Sequence, residues 1–420
     1  MKISIITIGS QGDIQPYLAL GARLKKEGHE VVIATAVNFK NIVLGLGLSF
    51  FSLEIDAVEG INSSSGIFAT IKRFKEFVCP WRYQLCTAVP LIAQRSEAII
   101  YNSLAYQNMI WTGIDVADKL KIPYFITSFV PEYTPTGQIP HFRFATESLG
   151  SFMNKLSYYL IDLGHFVLNR MFYNYPDLFY NNPKNMFTYT SVTKEATKHS
   201  KKFPILYLYS KHILPGFTDF DGNCIITGPL FLESKDDYSP PQYLVDFITK
   251  GEPPIYIGFG STKPKNSAKI TYILIEALKK TKQRGILNLG LGSLVKLGPL
   301  PDNIMIIEDY IPHDWLFPRM RAIIHHGGAG VTAIGLCSGK PSIVCPFEYD
   351  QPFWASRVFK LGVGPKPIPI KRLTSAKLIK AINEVITDNK MQERAKILGD
   401  KIRSEDGVGA AVKYIQAYLQ

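Results

Sequence analysis

The chain has 420 residues, 46% of them hydrophobic and 20% charged, with a formal net charge of +12. That length and apolar content exclude a disordered chain and suit two or three packed domains. The positive balance admits nucleic acid, an anionic membrane surface or an anionic small molecule as partner, because one long-range field draws all three. Its cations are scattered doublets, such as Lys25 with Lys26 and Lys279 with Lys280, not a dense tract interleaved with aromatics, which argues against nucleic acid.

Five cysteines (Cys79, Cys86, Cys224, Cys337 and Cys345) form no CxxC pair and no zinc-ligand spacing, as expected in a reducing cytosol. The start, MKISIITIG, is too short and too β-branched for a signal peptide. The longest apolar stretch, residues 156–173, is interrupted by Asp162, His165 and Arg170. The expectation is a cytoplasmic chain without a membrane span.

Residues 2–8 predict a buried strand and residues 14–26 a helix, with Leu20 and Leu24 at helical spacing and Gly28 closing it. A second strand over residues 31–34 completes a β-α-β unit. The alternation continues at 48–53, 98–101 and 124–127, the mark of a buried parallel sheet. A polar stretch with two prolines, residues 233–241, interrupts the pattern, and a second series of strands follows at 255–258, 286–289, 304–307, 322–325 and 342–344. The division is a first α/β domain over 1–230, a linker over 231–254, a second over 255–400, and a closing segment, 401–420, whose helix packs back on the first domain. Open parallel sheets bind ligands beyond the carboxyl ends of their strands, so two such domains leave a cleft between them.

Two loops fall at that cleft. The first, GSQGDIQP over residues 9–16, lacks the GxGxxG of a dinucleotide fold. Asp13 serves there either as an ordinary N-cap, with Pro16 in the first turn, or as a carboxylate facing the ligand, and the residues leave both readings open. The second is AIIHHGGAGVT, residues 322–332, a strand running into glycines and then a helix. Glycines let backbone N–H groups approach an oxyanion, and the helix start adds partial positive charge. One of His325 and His326 can supply a further donor, as can the Thr332 hydroxyl; tight strand–helix packing would explain the glycines alone.

Further on come GKP at 339–341 and PFEYDQ at 346–351, and the whole run from 310 to 351 resembles the donor-binding signature of the UDP-sugar glycosyltransferases. In that family's plant version, an HCG block precedes GxP and PxxxDQ at fixed distances. The resemblance implies that His326 contacts the diphosphate, that Gly328, Ala329 and Gly330 form its loop with Thr332 beside it, and that Asp350 and Gln351 bind hexose hydroxyls. The acidic residue that holds the ribose in plant members falls on Ile334 here, so ribose recognition must come from elsewhere. The HHGGAG wording is similar to sterol 3-beta-glucosyltransferases and bacterial antibiotic glycosyltransferases.

Upstream, the resemblance places Ser261, in IYIGFGST (255–262), at the diphosphate, and the segment DYIPHDW (309–315) at the nucleobase, with Tyr310 or Trp315 as the ring partner. In the first loop it puts Gly12 at the donor and Asp13 where plant members carry a general-base histidine. The loop over 131–144, with Pro131, Pro135 and Pro140, is similar to the acceptor region of sterol glucosyltransferases, which makes Trp81, Phe129, His141 and Phe142 candidate acceptor contacts. The implied fold is GT-B, two Rossmann-like doubly wound parallel-sheet domains facing across a cleft. The implied activity is inverting, metal-independent transfer of a hexose from UDP-glucose to a lipophilic hydroxyl, most specifically the 3-hydroxyl of a sterol. UDP-sugar is then a co-substrate, no cofactor is expected, and the partners are a nucleotide sugar, a lipophilic acceptor and a transiently visited membrane surface. Macrolide, polyketide and flavonoid acceptors, or a non-catalytic sugar-nucleotide or lipid-binding protein, stay as alternatives.

Overall fold

The computed structural model describes residues 1–54, 85, 88–103, 120–173, 204–215, 223–232, 238–290 and 292–420, with side chains in the helix ending at Tyr173 described to residue 164. Trp81, Cys79, Cys86 and the acidic part of the polar stretch lie outside these residues.

Seven short strands form the first sheet: β1 (Lys2–Ile6), β2 (Glu30–Ala36), β3 (Ser49–Leu53), β4 (Ala98–Asn102), β5 (Tyr124–Ser128), β6 (Ile205–Tyr207) and β7 (Cys224–Ile226). Their order is β3-β2-β1-β4-β5-β6-β7, and the neighbouring pairs are parallel. The central strands β4 and β5 are buried at every position, as expected of a sheet covered on both faces, and their sequences are accordingly continuous apolar runs. Strand order reverses between β1 and β4, so the loop after β1 opens into the crevice at that switch point.

The second sheet repeats the plan with β8 (Ile255–Gly258), β9 (Gly285–Asn288), β10 (Ile304–Ile307), β11 (Ala322–His325) and β12 (Ser342–Val344), in the order β10-β9-β8-β11-β12 and again parallel. Here the switch point lies between β8 and β11. The loops following these two strands carry Ser261 and His326.

The helices with described bounds are α1 (Gln11–Lys26), α2 (Lys40–Gly45), α3 (Ser151–Tyr173), α4 (Gln242–Thr249), α5 (Ser267–Thr281), α6 (His313–Leu316), α7 (Ala329–Cys337), α8 (Gln351–Lys360), α9 (Ser375–Thr387), α10 (Asn389–Arg403) and α11 (Gly407–Leu419). Part of the expected linker is therefore helical. Leu244 of α4 is fully buried in a cluster with Tyr256, Leu316 and Phe317, so this helix belongs to the second domain. The chain then returns: Ala411, Val412 and Ile415 of α11 share an apolar cluster with Ile3, Ile5, Leu18 and Leu24 of the first domain. Among the described residues, no helix is long and apolar enough to cross a membrane.

Candidate active site

α1 starts three residues earlier than its apolar spacing predicts. Ser10, not Asp13, is the N-cap, and Asp13 is the third helical residue, completing a capping box. The Ser10 amide donates to Asp13 Oδ2 at 2.7 Å and the Ser10 hydroxyl to the same oxygen at 2.9 Å. Both bonds fall on one carboxylate oxygen, and Oδ1 accepts none among the described residues. Gly9, at φ +138°, makes this fold of the loop possible, since a Cβ there would lie 2.5 Å from Asp13 Oδ2. The side chain remains partly open to solvent. Burial nevertheless raises its pKa, and the two Ser10 bonds oppose the rise.

The earlier start also moves Pro16 from the expected first turn into the helix interior. Proline has no N–H, so the Gly12 carbonyl lacks its usual donor four residues on. That carbonyl faces the other domain: a Cβ on Gly330 would lie 3.4 Å from it. The start of α1 thus abuts the first turn of α7. Behind the loop, buried Asn102 donates to Thr7 Oγ1 at 3.0 Å and to the Ile8 carbonyl at 2.7 Å, fixing the path out of β1.

On the opposite wall the two histidines divide their tasks. His325 is fully buried, and its Nδ1 accepts the Gly327 N–H at 3.0 Å, holding the turn. His326 is the imidazole at the loop. Its Nε2 lies 2.7 Å from where a Gly328 Cβ would stand, and its Cε1 lies 3.4 Å from a Cβ position on Gly260, so the ring sits between the loops after β8 and β11. Burial lowers His325 to about 3 and His326 to about 4, with neighbouring imidazoles adding to both shifts. Both are neutral at physiological pH, and His326 can donate one N–H without carrying a charge. α7 begins at Ala329, directly after Gly328, and turns its first amides and partial positive charge to the same place. Thr332 departs from expectation. It is 1% exposed, and its hydroxyl has no hydrogen-bond partner among the described residues.

Asp350 precedes α8 and follows Tyr349, whose φ of +60° turns the backbone sharply at this point. Burial first, and then the charge of Asp13, raise Asp350 to about 7, against the lowering effect of hydrogen bonds from its own amide and that of Ala329. Two carboxylates from different domains thus lie close enough for the charge of one to shift the other. The Gln351 side-chain oxygen Oε1 accepts the Phe347 N–H at 2.8 Å, which fixes the loop; its side-chain nitrogen Nε2 donates no bond among the described residues.

Tyr310 and Trp315 differ in environment. Tyr310 is 54% exposed, and its hydroxyl accepts a 2.7 Å hydrogen bond from Gln15 Nε2 of α1. Trp315 meets the Tyr238 ring edge-on at 5.8 Å and has the Arg319 guanidinium over it at 4.4 Å, so its surfaces are already occupied. His313, absent from the sequence reading, stacks on Phe317 at 4.3 Å beneath this loop.

The acceptor candidates are less open than expected. His141 and Phe142 are buried: their rings stack at 4.9 Å, and Tyr158 of α3 meets His141 edge-on at 5.2 Å, because the proline-rich loop packs its rings against α3. Phe129 is partly buried and meets Tyr17 of α1 edge-on at 6.1 Å, one turn beyond Asp13. Trp81 lies outside the described residues. Sequence reasoning also missed Ser10, although its S-x-x-D spacing is a visible capping-box signal, and Gln15, which has no local signal. Among the described residues, no group of three or more His, Cys, Asp or Glu side chains is placed to hold a metal ion.

The glycosyltransferase family 28 N-terminal domain matches residues 3–136, and the erythromycin biosynthesis protein CIII-like C-terminal domain matches residues 273–413. The chain is 37% identical over 437 residues to the sterol 3-beta-glucosyltransferase UGT80A2 of Arabidopsis thaliana, covering 100% of this chain and 66% of that protein. It is 34% identical to UGT80B1 of the same plant, covering 100% of this chain and 68% of that protein. To the sterol 3-beta-glucosyltransferase of Pichia angusta it is 32% identical, over 99% of this chain and 33% of that protein. The chain therefore spans about two thirds of the plant relatives and one third of the fungal one.

Among solved structures, the glycotransferase of kitacinnamycin superimposes with a TM-score of 0.72 at 19% identity, covering 100% of this chain and 99% of that one. The calicheamicin glycosyltransferase CalG4 follows at 0.68 and 18%, covering 100% and 98%; both likenesses speak to the fold. With two parallel sheets and 34–37% identity to these plant proteins over the whole of this chain, the chain belongs to the family of the sterol 3-beta-glucosyltransferases, glycosyltransferases of the GT-B fold.

Proposed function

We propose that the chain transfers glucose from UDP-glucose to the 3-hydroxyl of a sterol, with inversion at the anomeric carbon and Asp13 as general base. The reading rests on one observation above the others: the loop that pins the Asp13 carboxylate through one oxygen to Ser10 packs Gly12 against Gly330 in the first turn of α7, and Asp350 senses the Asp13 charge across the cleft. Its other oxygen takes the acceptor proton as the acceptor oxygen attacks the anomeric carbon. The bond from that carbon to the diphosphate oxygen breaks on the opposite face. The glycine-loop amides, the start of α7 and the neutral His326 N–H stabilise the charge that grows on the departing diphosphate. Asp350 and Gln351 hold hexose hydroxyls, Ser261 contacts the diphosphate, and Tyr310 offers its exposed ring to the base. Burial keeps Asp13 a stronger base than a solvated carboxylate, whose pKa is ~3.9.

The test is UDP release and product analysis with UDP-glucose against cholesterol, plant sterols, macrolides and flavonoids. A β-linked sterol glucoside, lost in Asp13→Asn while UDP affinity persists, is the expected result. An α-linked product, or turnover unaffected by Asp13→Asn, would overturn the assignment.

A further inference from the structure

The second domain carries a recess of about 430 Å³ on the side of its sheet away from the cleft. It opens where β8, β11 and β12 begin, and the glycine loop lies where β11 ends. From Arg321 to His326 the extended chain covers roughly 16 Å, so the two places are separate. The recess is lined by Arg321, Lys340, Lys396 and Arg403 together with apolar Pro253, Pro318, Met320 and Pro341, and no lining residue is acidic.

Local structure accounts for two of the four cations. Arg403 donates to the Cys337 carbonyl, capping the end of α7, and pairs with Asp400 at 2.5 Å. Arg321 lies 3.5 Å from Glu252, whose side chain is largely exposed, and donates to the Ile386 carbonyl at 3.3 Å. Lys340 and Lys396 make no hydrogen bond or ion pair among the described residues. Lys340 is partly buried between Gly339 and the buried Pro341, in surroundings where both burial and Arg321 disfavour its charge. Lys396 is exposed at the mouth, whereas Lys340 is held half-buried in a concave site that a second cation, Arg321, also lines.

We propose that this recess binds the phosphate group of an organic phosphate, with Lys340 and Lys396 as the principal contacts, Arg321 and Arg403 at the rim, and the proline–methionine wall against the organic part. Converging cations on an apolar-walled recess of this size match the usual chemistry of small anionic ligands. The phosphate could come from a soluble metabolite or from a lipid headgroup, and the same residues would serve either.

Two measurements separate the sources. Inorganic pyrophosphate binding is titrated calorimetrically with excess UDP present, and repeated in His326→Ala so that uptake by the glycine loop is recognised. Sedimentation with phosphatidylcholine vesicles, with and without phosphatidic acid, reads the lipid arm. The double variant Lys340→Ala/Lys396→Ala should weaken pyrophosphate or phosphatidic acid binding by about tenfold or more, the loss expected for removing charge-assisted contacts. UDP affinity should stay unchanged in it, reporting an intact fold. Lys371→Ala removes one exposed charge elsewhere and should alter neither. Binding in either arm that depends on the lysine pair supports the site and names the source. Absence of binding in both arms, or equal loss in Lys371→Ala, would overturn it.

Discussion

Gln15 of α1 and Tyr310 of the second domain are joined by a 2.7 Å hydrogen bond from the Gln15 amide to the tyrosine hydroxyl, although 295 residues separate them. Gln15 lies two residues after Asp13, on the same first turns of α1. The bond therefore ties the segment that carries the proposed general base to the loop proposed for the nucleobase, so that in this reading the filling of one half of the site is coupled to the geometry of the other.

Removing either partner should cost about the worth of one hydrogen bond, ~0.5–1.5 kcal/mol, or roughly two- to tenfold in donor KM. Tyr310→Phe keeps the ring and loses only the hydroxyl, so stacking is preserved. Gln15→Ala should match it, and the double variant should lose no more than either single one. Additive losses would show that the two side chains act separately.

Gly9 makes a sharper prediction. Its φ of +138° and the 2.5 Å approach of Asp13 Oδ2 to a would-be Cβ leave no room for alanine unless the carboxylate moves. Gly9→Ala should lower kcat by about a hundredfold, the usual scale for displacing a reacting group by an ångström, with UDP affinity retained. Ser10→Ala removes one of the two restraining bonds and should do less harm. Loss of UDP binding in Gly9→Ala would mean that the loop shapes the donor pocket instead of aiming the base.

Much of this was legible in the sequence because the signals are local. The bounds of β8, β10, β11 and β12 coincide with the expected apolar runs, since strands buried on both faces leave continuous hydrophobic text. β6 and β7 went unread: three residues each is too short to carry a period. The capping box at Ser10 is written in the sequence, but the early start of α1 hides behind polar Gln11 and Gly12. Pairs such as Gln15 with Tyr310, or Glu147 with Ser356, exist only once both domains are folded, and no local pattern announces them. His141 and Phe142 of the 131–144 loop are buried, and burial and ligand contact favour the same residue types, so no local pattern separates the two.

The Glu147 pair itself is testable. Ser356 of α8 donates to Glu147 Oε1 at 3.0 Å, and Lys360 pairs with the other oxygen. Glu147 follows the proline-rich loop, and α8 begins with Gln351, so these contacts link the acceptor side to the residues assigned to the hexose. The ion pair is largely exposed and worth little by itself, about 0–1 kcal/mol. Glu147→Ala should therefore leave folding nearly intact and raise acceptor KM several-fold, about the effect of one neutral hydrogen bond. A large drop in thermal stability with unchanged KM would assign the pair a structural role instead.

The two carboxylates set the pH dependence. Asp13 must be ionised to accept a proton, so activity should fall as the medium is acidified. Burial already holds its pKa above the ordinary range, and its charge, once formed, helps to raise Asp350 to about 7. His326, lowered to about 4, stays neutral across this interval and contributes no limb near neutrality. Asp13 is thus the first of the two to ionise, and it does so while Asp350 is still protonated and uncharged. Asp350→Asn, neutral like the protonated acid it replaces, should leave the acid limb of kcat at saturating UDP-glucose in place, while donor KM rises through the lost hexose contact. A limb that moves to lower pH would show that Asp350 is already charged while Asp13 titrates, the reverse of the order that their shifts give.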